Sequence, residues 1–254
     1  MTSLTVEHLD PPSTARRIRA VDAARRRALD ELSGRTVWCA FALPDRRAAA
    51  QRLRSSLQWG GGGGLRSGVL EVAADERLRD LAQRLEAMLD GAAASQLGDA
   101  ERELCAEGVR GSEELVSAVG PDDVVVVHDA LTALLAEALR ARGAHAVWHV
   151  SFTPTPSRPT AAAARTFLRR YTSRMDAYVM TWSPYDRRPR AVVERIAALM
   201  PSADAATAKD IPASYAGGEP RLLGWSTVLA DVVHGDREET VGGTRHARPT
   251  VPVR

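Results

Sequence analysis

No run of apolar residues in this 254-residue chain approaches the roughly 20 needed to cross a bilayer. The N-terminus has no apolar stretch after its first charges, so a secretory signal is not expected and the cytoplasm is the expected compartment. Cysteine is scarce. Cys39 and Cys105 lie far apart and in no metal-ligand spacing, and Cys39 sits in an apolar run that marks it as a small core residue. Lysine is nearly missing: of 34 basic residues only Lys209 is lysine. Arginine and alanine are both abundant, which a GC-rich coding bias explains. The formal net charge of +2 is too small to point to nucleic acid. Arg16, Arg17, Arg19, Arg25, Arg26 and Arg27 could meet phosphates, but the interspersed Asp22, Asp30 and Glu31 make a solvated helix face the better reading.

Several chemistries are absent at the motif level. No histidine pair has the spacing of a helical or knuckle zinc site. No G-x-S-x-G elbow surrounds any serine, so a hydrolase of that architecture has no support. The first strand leads into Leu43-Pro44-Asp45-Arg46-Arg47, without the glycines of a dinucleotide fingerprint. No metal and no cofactor are expected.

What is present is alternation. Residues 1–12 read as an irregular arm ending in Pro11-Pro12. A helical stripe of Ile18, Val21, Ala24, Ala28 and Leu32 follows from Ser13, stopped by Gly34. "RTVWCAFA" (residues 35–42) reads as a buried strand, 45–57 as a helix, and 69–72 as a short strand after the flexible glycine run 60–64. A helix is expected over 75–89, a further helical region over 99–119, and a strand over the four valines 124–127. Leu131, Leu134, Leu135, Ala138 and Leu139 mark a helix capped by Gly143. A strand over 146–151, a helix through Ala164 to Met175 and a strand over 176–182 complete the pattern. Strands separated by helices of this length pair in parallel through right-handed crossovers. The expected fold is one Rossmann-like α/β domain over 13–236, a mostly parallel sheet flanked by helices. Leu222, Leu223, Trp225, Val228, Leu229, Val232 and Val233 predict a covering helix near 221–234, and 237–254 reads as a disordered tail.

In an open parallel sheet, ligands gather outside the carboxyl ends of the strands. That rule selects His128 and Asp129 after the valine strand, His149 and Ser151 after the next, and Ser183 and Tyr185 after the last. Neutral imidazoles there can donate to a sugar hydroxyl or a carbonyl; alternatively each satisfies a backbone carbonyl beside its loop. His145, placed just before its strand, reads as structural.

The ordered series "DDVVVVHDALTALLAEAL", "AVWHVSFTPTPS", "FLRRYTSRMDAYVMTWSPYD" and "ALMPSADAATAKDIP" resembles the N-terminal half of trehalose synthases of the nucleotide-sugar-dependent glycosyltransferase type, and of the related trehalose phosphorylases. The resemblance covers about residues 34–212, with Pro201, Asp204 and Lys209 standing where that family has its interdomain segment. It implies the N-terminal, acceptor-sugar domain of a two-domain GT-B fold. His149 matches the histidine of a C-H-I-D-like strand end that contacts the sugar, and His128 with Asp129 matches an I-H-D. The departures are as informative. The family follows its first strand with a glycine triplet, where this chain has "LPDRRAAA" and no bare backbone to offer. Ser151 replaces an aspartate, and only about forty residues follow the interdomain segment, so a nucleotide-sugar domain is not expected. Three functions stay open. The chain binds a sugar-like metabolite without classical transfer; or a reused crevice does other chemistry with His149 or His128 as acid–base group; or it serves as scaffold, as a homodimer or with a separate donor domain.

Overall fold

The computed structural model describes residues 23, 26–59, 65–91, 96–150, 159–182, 208–212, 229–230 and 232–233. Helix α1 is described over 26–31 and is followed by strand β1, Thr36–Phe41. A 3-10 turn, Pro44–Arg46, leads into α2, Arg47–Trp59, and then β2, Arg66–Glu71. Helices α3, Glu76–Leu89, α4, Asp99–Arg110, and α5, Glu113–Ser117, precede β3, Val124–Val127. A second 3-10 turn, Thr132–Leu135, opens α6, Ala136–Ala141, before β4, His145–Val150. Helix α7, Pro159–Thr172, then β5, Ala177–Trp182, and β6, Ala208–Pro212, complete the order.

The six strands form one sheet in the order β2-β1-β3-β4-β5-β6, and every neighbouring pair is parallel. The reason lies in the strand compositions. All four valines of β3 are fully buried, and β4 is buried along its whole length. Only a strand covered on both faces can use an uninterrupted apolar run, and such strands belong in the middle of a parallel sheet. The period of two then sorts each strand between two cores. Val125 and Val127 of β3, with Ala146, Trp148 and Val150 of β4, pack with Leu81, Leu85 and Leu89 of α3 and Phe167 and Leu168 of α7. Val124, Val126, Val37, Cys39, Phe41 and Val147 pack on the opposite face with Leu53 and Leu57 of α2 and with Ala28 and Leu32. Residues Leu229, Ala230, Val232 and Val233 are helical and buried in that same second cluster. Burial pushes the Cys39 thiol up to about 12, which leaves it protonated and inert.

Several boundaries differ from the sequence expectation. Strand β2 begins three residues earlier than Val69, because Gly68 admits the Trp38 ring from β1 beside it, a contact no local pattern announces. A Cβ on Gly68 would lie well inside 3.0 Å of two atoms of that ring. Gly68→Ala is therefore expected to destabilise the domain by about 1–3 kcal/mol. Urea unfolding checks this, with Trp38→Leu in the same chain recovering most of the loss; a Gly68→Ala protein as stable as the parent would contradict the packing. The region 99–119 is two helices, since the backbone ends α4 at Gly111 before α5 starts. The stripe from Leu131 is 3-10 first and α-helical only from Ala136. His145 is the first residue of β4 rather than a residue before it. Strand β6, which holds Lys209, was not expected as a strand. The arm 1–12, the glycine run 60–64 and the tail 237–254 lie outside the described residues.

Candidate functional site

In this strand order the chain leaves β1 toward β2 on one side, while β3 lies on the other. The carboxyl ends of β1 and β3 therefore flank a topological switch point, the place where open α/β sheets form their crevice. His128 and Asp129 leave β3 there, and His149 lies one strand further along in β4.

The two histidines meet. Their Nδ1 atoms are 3.0 Å apart and their rings stand edge to face at 88°. The alternation explains why: positions 124, 126 and 147 face the α2 side, so 128 and 149 continue onto that side from adjacent strands. Both histidines are buried, His128 completely and His149 to 7% exposure. Burial pushes both pKa values down, His149 to about 4 and His128 well below its ordinary value. His149 itself adds to the shift of His128, and the Arg46 and Arg52 guanidinia add to both. Both rings are neutral at pH 7. One proton then serves the Nδ1···Nδ1 bond, which forces opposite tautomers. The ring that donates through Nδ1 has a bare Nε2 acceptor; its partner carries the proton on Nε2. The bond therefore couples the two tautomers, so that the state of His128 decides whether the Nε2 of His149 is a donor or an acceptor.

Asp129 is turned the other way, into the chain. Its Oδ2 accepts from the amides of Ala42, at 2.7 Å, and Leu43, at 3.1 Å. Its Oδ1 accepts from the amide of Thr132 at 2.8 Å, with the Thr132 hydroxyl 3.0 Å away. Asp129 is 1% exposed. This carboxylate closes the switch point by fastening the exit of β1 to the exit of β3, and its geometry is that of a clamp.

A second carboxylate does similar work and was not singled out from the sequence. Glu86 of α3 is buried; it accepts from the amide of Ala130 at 3.2 Å and pairs through its other oxygen with Arg46. Burial raises the Glu86 pKa, with the Asp129 charge adding to the rise, while Arg46 and the Ala130 amide oppose it. The signal was readable in principle. Glu86 occupies the helix face of Leu78, Ala82, Leu85 and Leu89, where an acidic residue has no reason to be unless something meets it. Arg46, where the resembled family has glycine, stands in the turn directly after β1. Ser151, Ser183 and Tyr185 lie outside the described residues. Among the described residues no group of three or more His, Cys, Asp or Glu side chains could hold a metal ion.

The family model for the trehalose synthase N-terminal domain matches residues 50–187, more than half of the chain. This chain belongs to that family. The matched span lies inside the stretch 34–212 that carries the resemblance, and it runs from within α2 through β5 and includes both histidines. It starts just beyond the Pro44–Arg46 turn, so the segment carrying Arg46 is outside the match. No curated protein matches the chain. Membership of the trehalose synthase N-terminal domain family makes the protein glycosyltransferase-like, with the Rossmann-like architecture described above. Among the described residues no helix is long and apolar enough to cross a membrane.

Proposed function

We propose that the crevice at the ends of β1, β3 and β4 binds a sugar or sugar-like metabolite, with His149 meeting a ligand hydroxyl and His128 fixing its tautomer. The observation that carries this reading is the 3.0 Å Nδ1···Nδ1 bond between two neutral imidazoles at the strand exits. It couples the tautomer of His149 to that of His128 before any ligand arrives, and pre-organised polar groups cost little reordering on binding. The low pKa of His149 favours binding over proton transfer, since a group near 4 is almost never protonated at neutral pH and is a weak base there. Asp129 belongs to the frame of the crevice in this reading, and Asp129 and Glu86 hold its rim.

The test is ligand stabilisation of the full chain by mono- and disaccharides, compared with His149→Asn and His149→Ala. Asparagine places its amide near the former Nδ1 and keeps the bond to His128, but it removes the Nε2 edge. His149→Asn is therefore expected to retain folding stability and lose at least about tenfold in sugar affinity, in keeping with one lost hydrogen bond to a ligand. Undiminished affinity in both variants would sink the assignment. Measurable glucosyl transfer from nucleotide-glucose to glucose that falls in His149→Asn would replace it with the acid–base reading.

A further inference from the structure

Arg46 has more donors than acceptors. Its Nη2 pairs with Glu86, and its Nη1 stands 3.6 Å from the exposed carboxylate of Asp45, too far for a hydrogen bond. Its Nε is buried and meets no acceptor among the described residues. Buried donors in folded proteins are almost always satisfied, by the chain, by water or by a ligand. A guanidinium presents its N–H groups as a planar fork that matches the oxygens of a phosphoryl or carboxylate group.

The position of this fork matters as much as its vacancy. It follows β1 at the switch point, and Glu86 ties it to the Ala130 amide, two residues beyond His128. The Arg46 side chain keeps 20% exposure, and because its Nε is buried that exposure belongs to the rest of the side chain. Its charge, with that of Arg52, is felt at both imidazoles. A field of that sign repels a metal cation from the histidine pair and attracts an anion. Glu86 engages that guanidinium through Nη2 alone.

We propose that the ligand of this crevice carries an oxyanion, a phosphoryl or carboxylate group received by Arg46, while its hydroxyls meet His149. The proposal rests on the sugar-binding reading above and narrows it from a neutral sugar to an acidic one. Glu86 acts here as a positioning residue: it aims the guanidinium and takes no part in contact with the ligand.

Calorimetric titration of the full chain with glucose, glucose 6-phosphate, gluconate and inorganic phosphate tests this in the parent, Arg46→Gln, Glu86→Gln and the double variant Arg46→Gln/Glu86→Gln. An acidic probe is expected to bind about tenfold to a hundredfold more tightly than glucose, the range of one charge-assisted contact. Preference for glucose 6-phosphate assigns a phosphoryl group, and preference for gluconate assigns a carboxylate. The gain is expected to vanish in Arg46→Gln and to persist or grow in Glu86→Gln, which removes the competing charge. A purely structural Arg46 would instead make both single variants weaker. Should Arg46→Gln fold poorly, the charge-balanced double variant carries the same expectation. Equal binding of glucose and both acidic sugars overturns the proposal and leaves the sugar reading standing; an acidic preference that survives in the double variant overturns it by removing Arg46 as the receiver of the oxyanion. Inorganic phosphate binding as well as glucose 6-phosphate, through Arg46 and without any response to glucose, supports the oxyanion site and overturns the sugar.

Discussion

Asp129→Ala is expected to destabilise the domain by about 3–5 kcal/mol, among the largest effects of any single polar substitution in the chain. The carboxylate accepts three backbone amides, those of Ala42, Leu43 and Thr132. Ala42 and Leu43 are both buried, so water does not replace the lost acceptor. Each stranded amide costs about 1–3 kcal/mol, and hydrogen bonds to a charged acceptor lie at the strong end of their range. Asp129→Asn keeps one oxygen and is expected to lose about half as much. At about 2–4 °C per kcal/mol for a domain of this size, alanine lowers the Tm by roughly 6–20 °C. Calorimetric melting of the three proteins measures it. An Asp129→Ala protein within about 1 kcal/mol of the parent would show that the exits of β1 and β3 are held together by something other than this clamp.

How much of this was legible beforehand follows from which forces are local. The valine run 124–127 and the buried β4 announce themselves, because a strand covered on both faces writes its burial directly into consecutive residues. The strand-exit rule then locates His128 and His149 from order alone. Their mutual bond needs one further fact, that β3 and β4 are neighbours, which the crossover pattern supports but no single residue states. Asp129 shows the limit. Its role depends on β1 lying against β3, a pairing across 87 positions, and nothing near "VHDALT" distinguishes a carboxylate aimed at a ligand from one aimed at Ala42 and Leu43. The same clamp explains the misread helix start. Asp129 captures the Thr132 amide, which fixes the turn in 3-10 geometry and delays the α-helix to Ala136. Strand β6 was missed for the opposite reason. "AKDIP" contains two charged residues and a proline among five, and its only announcement is the edge of β5 that it pairs with.

Acidification below neutrality is expected to unfold this protein earlier than its carboxylates alone would require, through the histidine pair. His149 has a folded pKa of about 4 against an ordinary 6.5. Between those values the unfolded chain binds a proton that the folded one refuses. The stability associated with neutral His149 is therefore fully present above about pH 6.5 and is lost as the pH falls toward 4. The difference corresponds to roughly 3 kcal/mol at the acid end. His128 is shifted in the same direction by burial, by His149 and by Arg46 and Arg52, so it extends the loss rather than opposing it. Glu86 works in the other sense. Its folded carboxyl holds a proton to higher pH than the unfolded one, so its burial weighs most against the folded state when the pH is high, and acid relieves it. One carboxyl offsets only part of two imidazoles. His149→Asn cannot titrate and keeps the hydrogen bond to His128, so its stability between pH 7 and pH 4.5 is expected to fall by at least about 2 kcal/mol less than the parent's. Urea unfolding at half-unit pH intervals reads this difference directly. Parallel curves for the two proteins would mean that the buried pair meets enough water to ionise in place, and the same result would remove the neutral tautomer coupling on which sugar recognition by His149 depends.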